Sequence, residues 1–290
     1  MTPDQYCQQK AARSGSSFYY SFLFLPPPER QAIMALYAFC REVDDAVDET
    51  TEPEVARAKL DWWREELEKS FARKAEHPVG KALEIATERF NLPQEYFAEI
   101  IDGMEMDLDY NSYPNFKELS LYCYRVASVV GLMAAEIFGY EDRQTLKYAH
   151  DLGMAMQLTN ILRDVREDAE RGRIYIPLDE IEAHGLSPAD FLNFRDSAAM
   201  RSLLRTQADR AREYYQRAVD RLPEIDRYRQ RSGLIMADIY RTTLDAIEED
   251  GYRVFEHRIS LTPLRKLWRA WRINRAEKAR VRRRAGRSEA

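Results

Sequence analysis

Apolar residues recur at intervals of three and four along almost the whole chain, which is the spacing of amphipathic α-helices. The stripe in the first long segment comprises Ile33, Leu36, Tyr37, Cys40, Val43 and Val47. The periodicity predicts helices over 29–49, from a break at 50–53 to about 74, and over 79–90, 93–109, 116–138, 142–170, 196–221 and 232–249. Glycine occurs only 11 times in 290 residues and hairpin-type turn dipeptides are rare, so a β-sheet fold is disfavoured.

The segments between these helices are short, and no linker rich in Gly, Ser or Pro divides the chain. Long antiparallel helices with short connections pack as a bundle that can enclose a cavity. We therefore predict an all-α, single-domain helical bundle with a central cavity over residues 1–263. A basic amphipathic helix and tail are predicted over residues 264–290.

The cysteines, histidines and apolar segments exclude several classes of protein. Cys7, Cys40 and Cys123 are far apart and odd in number, so neither a disulfide framework nor a zinc site is expected. The four histidines form no metal-binding spacing. The polar N-terminus does not resemble a signal peptide, and the longest nearly apolar run, 126–135, is shorter than the ~20 residues that cross a bilayer. We expect a cytoplasmic protein that contacts membranes only peripherally, at the inner membrane surface.

Two segments each combine a pair of aspartates four residues apart with an arginine just upstream. The first contains Arg41, Asp44 and Asp48, and the second contains Arg163, Asp164 and Asp168. Like charges at this spacing repel one another by roughly 0.2–0.5 kcal/mol on a helix, and both pairs continue stripes that should face the interior. A single cluster of this kind is equally well explained as a solvated acidic face. Two clusters on inward stripes indicate a binding site, because buried carboxylates must be paired or hold cations.

The candidate metal ligands in these segments all offer oxygen atoms. They are Asp44, Asp48, Asn160, Asp164 and Asp168. Oxygen ligands favour Mg²⁺, with Mn²⁺ as the alternative, and Mg²⁺ is usually held by one or two carboxylates together with substrate phosphates. Facing carboxylate pairs with arginines therefore predict a diphosphate clamp, which would stabilise diphosphate as it leaves. The chain has no Walker A loop, so a nucleotide is disfavoured.

Loss of diphosphate from an allylic substrate creates a carbocation, which requires a dry cavity with aromatic faces. The chain can supply Phe18, Tyr19, Tyr20, Phe22, Phe24, Tyr37, Phe39, Tyr122, Tyr124 and Tyr240. Most of these rings, taken singly, are equally well explained as core residues.

Four motifs, in order, resemble the squalene/phytoene synthase family over about residues 6–263. They are SSFYYSF (16–22), YAFCREVDDAVDE (37–49), YCYRVASVVG (122–131) and QLTNILRDVREDAERGRIYIP (157–177). The resemblance implies an isoprenoid synthase-like fold in which the five oxygen ligands above bind Mg²⁺. It also implies that Tyr37, Arg41, Tyr124, Arg163 and Tyr240 serve in catalysis. Substrate contacts are implied for Ser14, Gly15, Ser16, Ser17, Phe18, Tyr37, Arg41, Gln157, Arg163, Arg173, Tyr175 and Tyr240, with Arg173 and Tyr175 on a closing flap. Gly15 departs from relatives that have serine there, so a hydroxyl contact at that position is in doubt.

The opening segment, residues 1–30, is similar to the subgroup of this family that makes presqualene diphosphate in bacterial hopanoid biosynthesis. This resemblance implies head-to-head condensation of two farnesyl diphosphates, with release of diphosphate and without a requirement for NADPH. Squalene, dehydrosqualene or phytoene synthesis are the alternatives within the family, and a non-catalytic helical interaction protein is the alternative of another class. Enzymes of the squalene pathway are the protein partners that this resemblance implies.

The C-terminal segment is strongly basic, in contrast to the rest of the chain. From Leu264 onward there are eleven Lys or Arg against two acids, whereas the whole chain has a net charge of −5. Leu264, Leu267, Trp268 and Trp271 form one apolar helical stripe, and it is surrounded by Arg265, Lys266, Arg269, Arg272 and Arg275. The pattern fits an anionic membrane surface or, alternatively, a stripe packed on the bundle. Nucleic acid is not expected as a partner, because the body of the chain is acidic.

Overall fold

Helices make up almost all the regular structure. The computed structural model describes residues 1–13 and 16–288, and in these ranges the other regular features are a π-helical turn and one bridge between Ser112 and Ile174. The helices are α1 (Pro3–Arg13), α2 (Ser17–Phe22), α3 (Pro27–Asp48), α4 (Pro53–Phe71), α5 (Pro78–Phe90), α6 (Gln94–Asp109), α7 (Phe116–Cys123), α8 (Val129–Phe138), α9 (Gln144–Arg163), α10 (Val165–Glu170), α11 (Leu178–Ala183), α12 (Pro188–Leu192), α13 (Ala198–Arg221), α14 (Arg231–Glu249) and α15 (Pro263–Ser288). The predicted all-α, single-domain architecture is confirmed.

Proline and capping residues set where several helices begin. Pro27, Pro53 and Pro78 occupy the first turn of α3, α4 and α5, where a missing N–H costs nothing. The Asn115 side chain accepts a hydrogen bond from the backbone N–H of Glu118 at 3.1 Å and so caps α7. These local signals explain why the predicted helix bounds lie within a few residues of the observed ones.

The helix predicted over 142–170 is interrupted at Asp164. This residue has φ −102° and ψ 14° and separates α9 from α10. The hydrogen bond from the Asp168 N–H to the Asp164 carbonyl, at 2.9 Å, still links the two aspartates across the break. The second aspartate pair therefore does not lie on one continuous helix, as the sequence suggested, but on a bend at the end of α9.

The central cavity lies between two apolar clusters. One cluster is built mainly from α1 to α6, and the other from α9, α13 and α14. Helices α8 and α9 pack closely because two glycines face backbone. A Cβ on Gly131 would lie 2.6 Å from the Ala149 carbonyl oxygen, and one on Gly153 would lie 2.6 Å from the Ser128 Cα. This contact places the inner faces of α8 and α9 side by side along the cavity.

The helix spanning Phe116–Phe138, which comprises α7, the π-helical turn and α8, is long and apolar enough to cross a membrane. It contains 23 residues, and its most apolar 18-residue stretch has a mean hydropathy of 1.4, so it extends well beyond the uninterrupted apolar run recognised in the sequence. Its side chains Leu119, Val129 and Met133 are fully buried in the bundle, and the segment packs on α6 and α9. Within this fold its apolar character is therefore accounted for by burial and by the cavity that it lines.

Candidate active site

Three connected cavities cross the bundle from its acidic end to its apolar interior. An acidic cavity of about 470 Å³ adjoins a polar cavity of about 480 Å³, which continues into an apolar cavity of about 170 Å³. Gln157 and Asn160 on α9 line all three, while Arg41, Asp44 and Arg163 line the first two. The two aspartate motifs therefore face one space, and that space leads directly to an apolar pocket.

The first aspartate motif is tied to arginines from two directions. Arg41 donates to Asp44 at 2.6 Å and to Asp45 at 2.5 Å within α3. Asp48 accepts from Arg171 at 2.6 Å and from Arg173 at 3.0 Å, so the segment after α10 is anchored on α3. Burial and the neighbouring carboxylates raise the pKa of Asp44 to about 6, although the Arg41 guanidinium acts in the opposite direction.

The two aspartates of the second motif differ in their electrostatics. Burial acts to raise the pKa of Asp164, but hydrogen bonds from Arg163 and Arg258 outweigh it, so that pKa lies below its ordinary value. Burial, together with the charges of Asp164 and Asp107, raises the pKa of Asp168 to about 8. One aspartate is therefore held as a carboxylate, whereas the other is readily protonated near neutral pH.

The residues present fit an oxygen-ligated cation that binds together with its substrate. In the described ranges, no group of three or more His, Cys, Asp or Glu side chains is arranged as a preformed metal site. However, the buried Oδ1 atom of Asn160 has no hydrogen-bond partner, while its Nδ2 atom donates to Gln157 at 3.2 Å. An unpaired buried carbonyl oxygen between two carboxylate motifs is suited to completing a cation site when phosphate oxygens supply further ligands.

A further carboxylate, which the sequence analysis did not identify, lies between the two motifs. Asp107 on α6 accepts hydrogen bonds from the hydroxyls of Tyr175 at 2.7 Å and Tyr122 at 3.0 Å. Burial raises its pKa to about 6 against the opposing effects of Arg173 and these tyrosines. Asp107 follows Ile100 and Met104, two cavity-lining residues, at helical spacing, so the inward-stripe argument used for the motifs could have found it.

The predicted flap, around Arg173 and Tyr175, is seated over the acidic cavity. The Ile174 N–H donates to the Asn111 carbonyl at 2.8 Å, and the ring of Tyr175 stacks on that of Tyr122 at 5.1 Å. Together with the two arginines on Asp48, these contacts close one side of the acidic cavity. Arg258, from the loop after α14, closes another side through its bonds to Asp164 and Glu167.

The π-helical turn affects the position of one predicted catalytic residue, Tyr124. Tyr124 begins this turn and lines a surface groove with Lys117 and His150, rather than any of the three connected cavities. Tyr122, two residues earlier, lines both the acidic and the polar cavity. The structure therefore places Tyr124 outside the three connected cavities and Tyr122 against two of them.

The remaining predicted residues meet at the junction of the polar and apolar cavities. The ring of Phe18 lies 5.6 Å from that of Tyr37 and 6.3 Å from that of Tyr240, and burial raises the pKa of Tyr240 although the nearby Arg163 guanidinium acts to lower it. Ser16 and Ser17 line the polar cavity at the start of α2, while Ser14 and Gly15 lie outside the described residues. Aromatic rings therefore surround the point at which a chain would pass from the clamp into the apolar pocket.

Comparisons with known proteins show the family to which this chain belongs. The family model described as squalene/phytoene synthase matches residues 11–265. A phytoene synthase from Arthrospira platensis is 39% identical over 278 residues, which cover 90% of this chain and 89% of that protein. A phytoene synthase from Mycobacterium tuberculosis is 38% identical over 257 residues, covering 86% of this chain and 83% of that protein.

Solved structures show the same fold over nearly the whole chain. A dehydrosqualene synthase in complex with ligand has a TM-score of 0.86 at 28% identity, covering 96% of this chain and 97% of the other. Squalene synthase HpnC from Alicyclobacillus acidocaldarius has a TM-score of 0.77 at 29% identity, covering 86% and 94%. The fold and the facing aspartate motifs thus define an enzyme of the isoprenoid synthase-like class. More narrowly, the chain belongs to the squalene/phytoene synthase family, whose members are enzymes of the prenyltransferase type.

Proposed function

We propose that this enzyme condenses two farnesyl diphosphates head to head to presqualene diphosphate and diphosphate. The observation that carries the proposal is the continuous path from two facing aspartate motifs, through an aromatic junction, into an apolar cavity. The acidic end of this path suits a diphosphate, and the apolar end suits an isoprenoid chain. The likeness to the dehydrosqualene and squalene synthase structures, together with the resemblance of residues 1–30 to presqualene-forming relatives, supports farnesyl chains.

The residues that would hold Mg²⁺ are Asp44, Asp48, Asn160, Asp164 and Asp168. When bound, the ion would neutralise charge on the diphosphate and so favour its departure. Arg41, Arg163 and Arg258, which line both the acidic and the polar cavity, are placed to bind phosphate oxygens. The rings of Phe18, Tyr37 and Tyr240 border the polar cavity and are positioned to stabilise a developing allylic cation.

The proposed reaction begins with ionisation of the donor farnesyl diphosphate. The C1–O bond of the donor breaks, and its electron pair leaves with diphosphate. The π electrons of the 2,3-double bond of the acceptor then form a bond to the donor C1. Loss of a proton from that carbon supplies the electrons that close the cyclopropane ring. No electrons are exchanged with a redox partner, so NADPH has no role in this step.

The released diphosphate is the favoured acceptor for this proton. Burial raises the pKa of Tyr240, with Arg163 opposing, and burial beside Asp107 raises the pKa of Tyr122 well above its ordinary value. Neither phenol is therefore a source of phenolate at neutral pH. Diphosphate released beside the cation carries several basic oxygens and needs no further group from the protein.

Product analysis distinguishes this proposal from phytoene synthesis, the second candidate, which the names of the curated relatives favour. We expect purified enzyme with Mg²⁺ and farnesyl diphosphate alone to accumulate presqualene diphosphate, and added NADPH to leave the product unchanged. Chromatography and mass spectrometry of labelled products provide the measurement. Conversion to squalene on adding NADPH would reassign the enzyme as a squalene synthase. A strong preference for geranylgeranyl diphosphate would reassign it as a phytoene synthase.

The titration of Asp168 predicts pH-dependent cation binding. Because its pKa is raised to about 8, the folded protein gains stability from the protonated carboxyl at low pH and loses that contribution as pH rises through about 8. Mg²⁺ requires the carboxylate, so its stabilising effect should be larger at about pH 8.5 than at about pH 6. Thermal unfolding in the presence of inorganic diphosphate, with and without Mg²⁺, measures this difference at both pH values. Asp168→Asn should remove most of the pH dependence, and an equal Mg²⁺ effect at both pH values in the unmodified enzyme would refute the assignment.

A further inference from the structure

Helix α15 docks on the bundle through a face of mixed polarity that does not include its exposed apolar stripe. Ala270, Asn274 and Glu277 are buried against the rest of the protein, and α15 packs on α14 and α2. Glu277 pairs with Arg227 at 3.0 Å, and Arg269 donates to Asp238 at 2.8 Å. The helix is therefore held in place by its own contacts, independently of the four apolar residues predicted to form a stripe.

Those four apolar residues point away from the bundle. Leu264 is 80% exposed, Leu267 41%, Trp268 53% and Trp271 47%. The alternative in which the stripe packs on the bundle is thus not the observed arrangement. These two leucines and two tryptophans lie on one face over two turns of the helix. They form an exposed apolar patch that requires a partner, because water solvates it poorly.

The charges around this patch identify the kind of partner. Arg265, Arg275 and Lys278 are exposed beside the stripe, and the Arg275 guanidinium lies 5.2 Å from the centre of the Trp271 ring. Glu277 is the only acid between Leu264 and Arg284, and its side chain is buried on the opposite face. A second copy of this helix would bring like charges together, whereas an anionic surface complements them.

The helix that carries the patch also borders the polar cavity of the active site. Lys266, one residue before Leu267, lines the polar cavity together with Leu261 and Arg258. Helix α2, which contributes Ser17 and Phe18 to that cavity, packs directly on α15. A surface bound at the stripe would therefore lie close to the cavity that the substrate and product must pass.

We propose that the exposed face of α15, formed by Leu264, Leu267, Trp268 and Trp271 with Arg265, Arg275 and Lys278, docks on an anionic lipid bilayer. Tryptophan and leucine would enter the boundary between headgroups and acyl chains, while the basic side chains contact lipid phosphates. Each basic residue near such a surface contributes a factor of roughly five in partitioning. This inference does not depend on which prenyl diphosphate the enzyme condenses.

Sedimentation of the full-length protein with vesicles tests the proposal. We expect binding to vesicles of phosphatidylglycerol and phosphatidylcholine, weaker binding to phosphatidylcholine alone, and loss of most of the charge-dependent part at high salt. Trp268→Ser with Trp271→Ser should weaken binding at least about tenfold. The matched control is Ile85→Ser with Ile225→Ser, since those side chains are also exposed, at 65% and 50%, and lie on other elements. The control pair should bind as the unmodified protein does.

A second variant tests the basic side chains of the patch and includes a check that the protein remains folded. Arg265→Gln with Arg275→Gln and Lys278→Gln keeps the tryptophans and should abolish the preference for anionic vesicles while leaving the helical circular dichroism unchanged. The proposal is overturned if the unmodified protein binds neither kind of vesicle, or if the tryptophan variant binds anionic vesicles as well as the control does. It is likewise overturned if the tryptophan variant loses only a concentration-dependent self-association, because the stripe would then be a contact between copies of the chain.

Discussion

Replacing Asp44 or Asp164 by asparagine is expected to lower turnover of the prenyl diphosphate substrate by roughly 10²–10³-fold or more. Each substitution keeps the shape of the side chain but removes a negative charge from the proposed cation clamp. It also removes one of the two carboxylate partners of Arg41, or the Asp164 carboxylate that Arg163 and Arg258 share, from the acidic cavity. Steady-state rates across a range of Mg²⁺ concentrations measure the effect.

The matched control is Glu42→Gln on the same helix as Asp44. Glu42 accepts from Lys10 at 3.0 Å and from the Tyr6 hydroxyl at 2.8 Å, on the side of α3 that faces α1. This variant should retain turnover within about threefold of the unmodified enzyme, because a partly exposed ion pair contributes little to the fold. Near-normal turnover of Asp44→Asn or Asp164→Asn at saturating Mg²⁺, in a protein of unchanged helicity, would show that the aspartate is not a metal ligand.

The second large effect is expected on kcat, which should respond differently to substitution of Tyr122 and of Tyr124 in the same motif. Tyr122→Phe removes a hydrogen bond to the buried Asp107, and bonds of this kind to charged groups are worth about 1.5–3 kcal/mol, so kcat should fall roughly 10–100-fold. Tyr124→Phe should alter kcat less than about twofold, because Tyr124 lines a surface groove. Parallel measurement of kcat and of thermal stability for both variants decides between them. The reverse order of effects, at equal stability, would return the reaction centre to Tyr124.

The sequence predicted the first motif well because its chemistry and its periodicity coincide. Asp44 follows Tyr37 and Cys40 at helical spacing on a single unbroken helix, so the inward face of α3 could be extrapolated. The break at Asp164 was not predictable in the same way, because nothing in the local sequence other than a weak helix former marks it. Its position is set by tertiary contacts, including the bond from Arg258 in a distant loop.

The placement of Tyr124 has a similar physical origin. The motif resemblance pointed to Tyr124, but it carried no information on which tyrosine of this helix faces the cavities. Val126 and Val130, which line the apolar cavity, lie four and eight residues after Tyr122, so periodicity favours Tyr122. Asp107 was missed because it stands alone rather than in a motif, and its two tyrosine partners come from separate segments of the chain.

The arginine pairs around the aspartate motifs have a consequence for the order of ligand binding. Asp48 pairs with Arg171 and Arg173, Asp44 with Arg41, and Asp164 with Arg163 and Arg258, so arginines neutralise these three carboxylates. If Mg²⁺ binds these carboxylates as proposed, it must displace guanidinium groups, and diphosphate offers those groups new oxygen partners. Such a counter-ion exchange couples the two affinities, and the coupling is reciprocal. The enzyme would then bind metal weakly alone and tightly only together with its substrate.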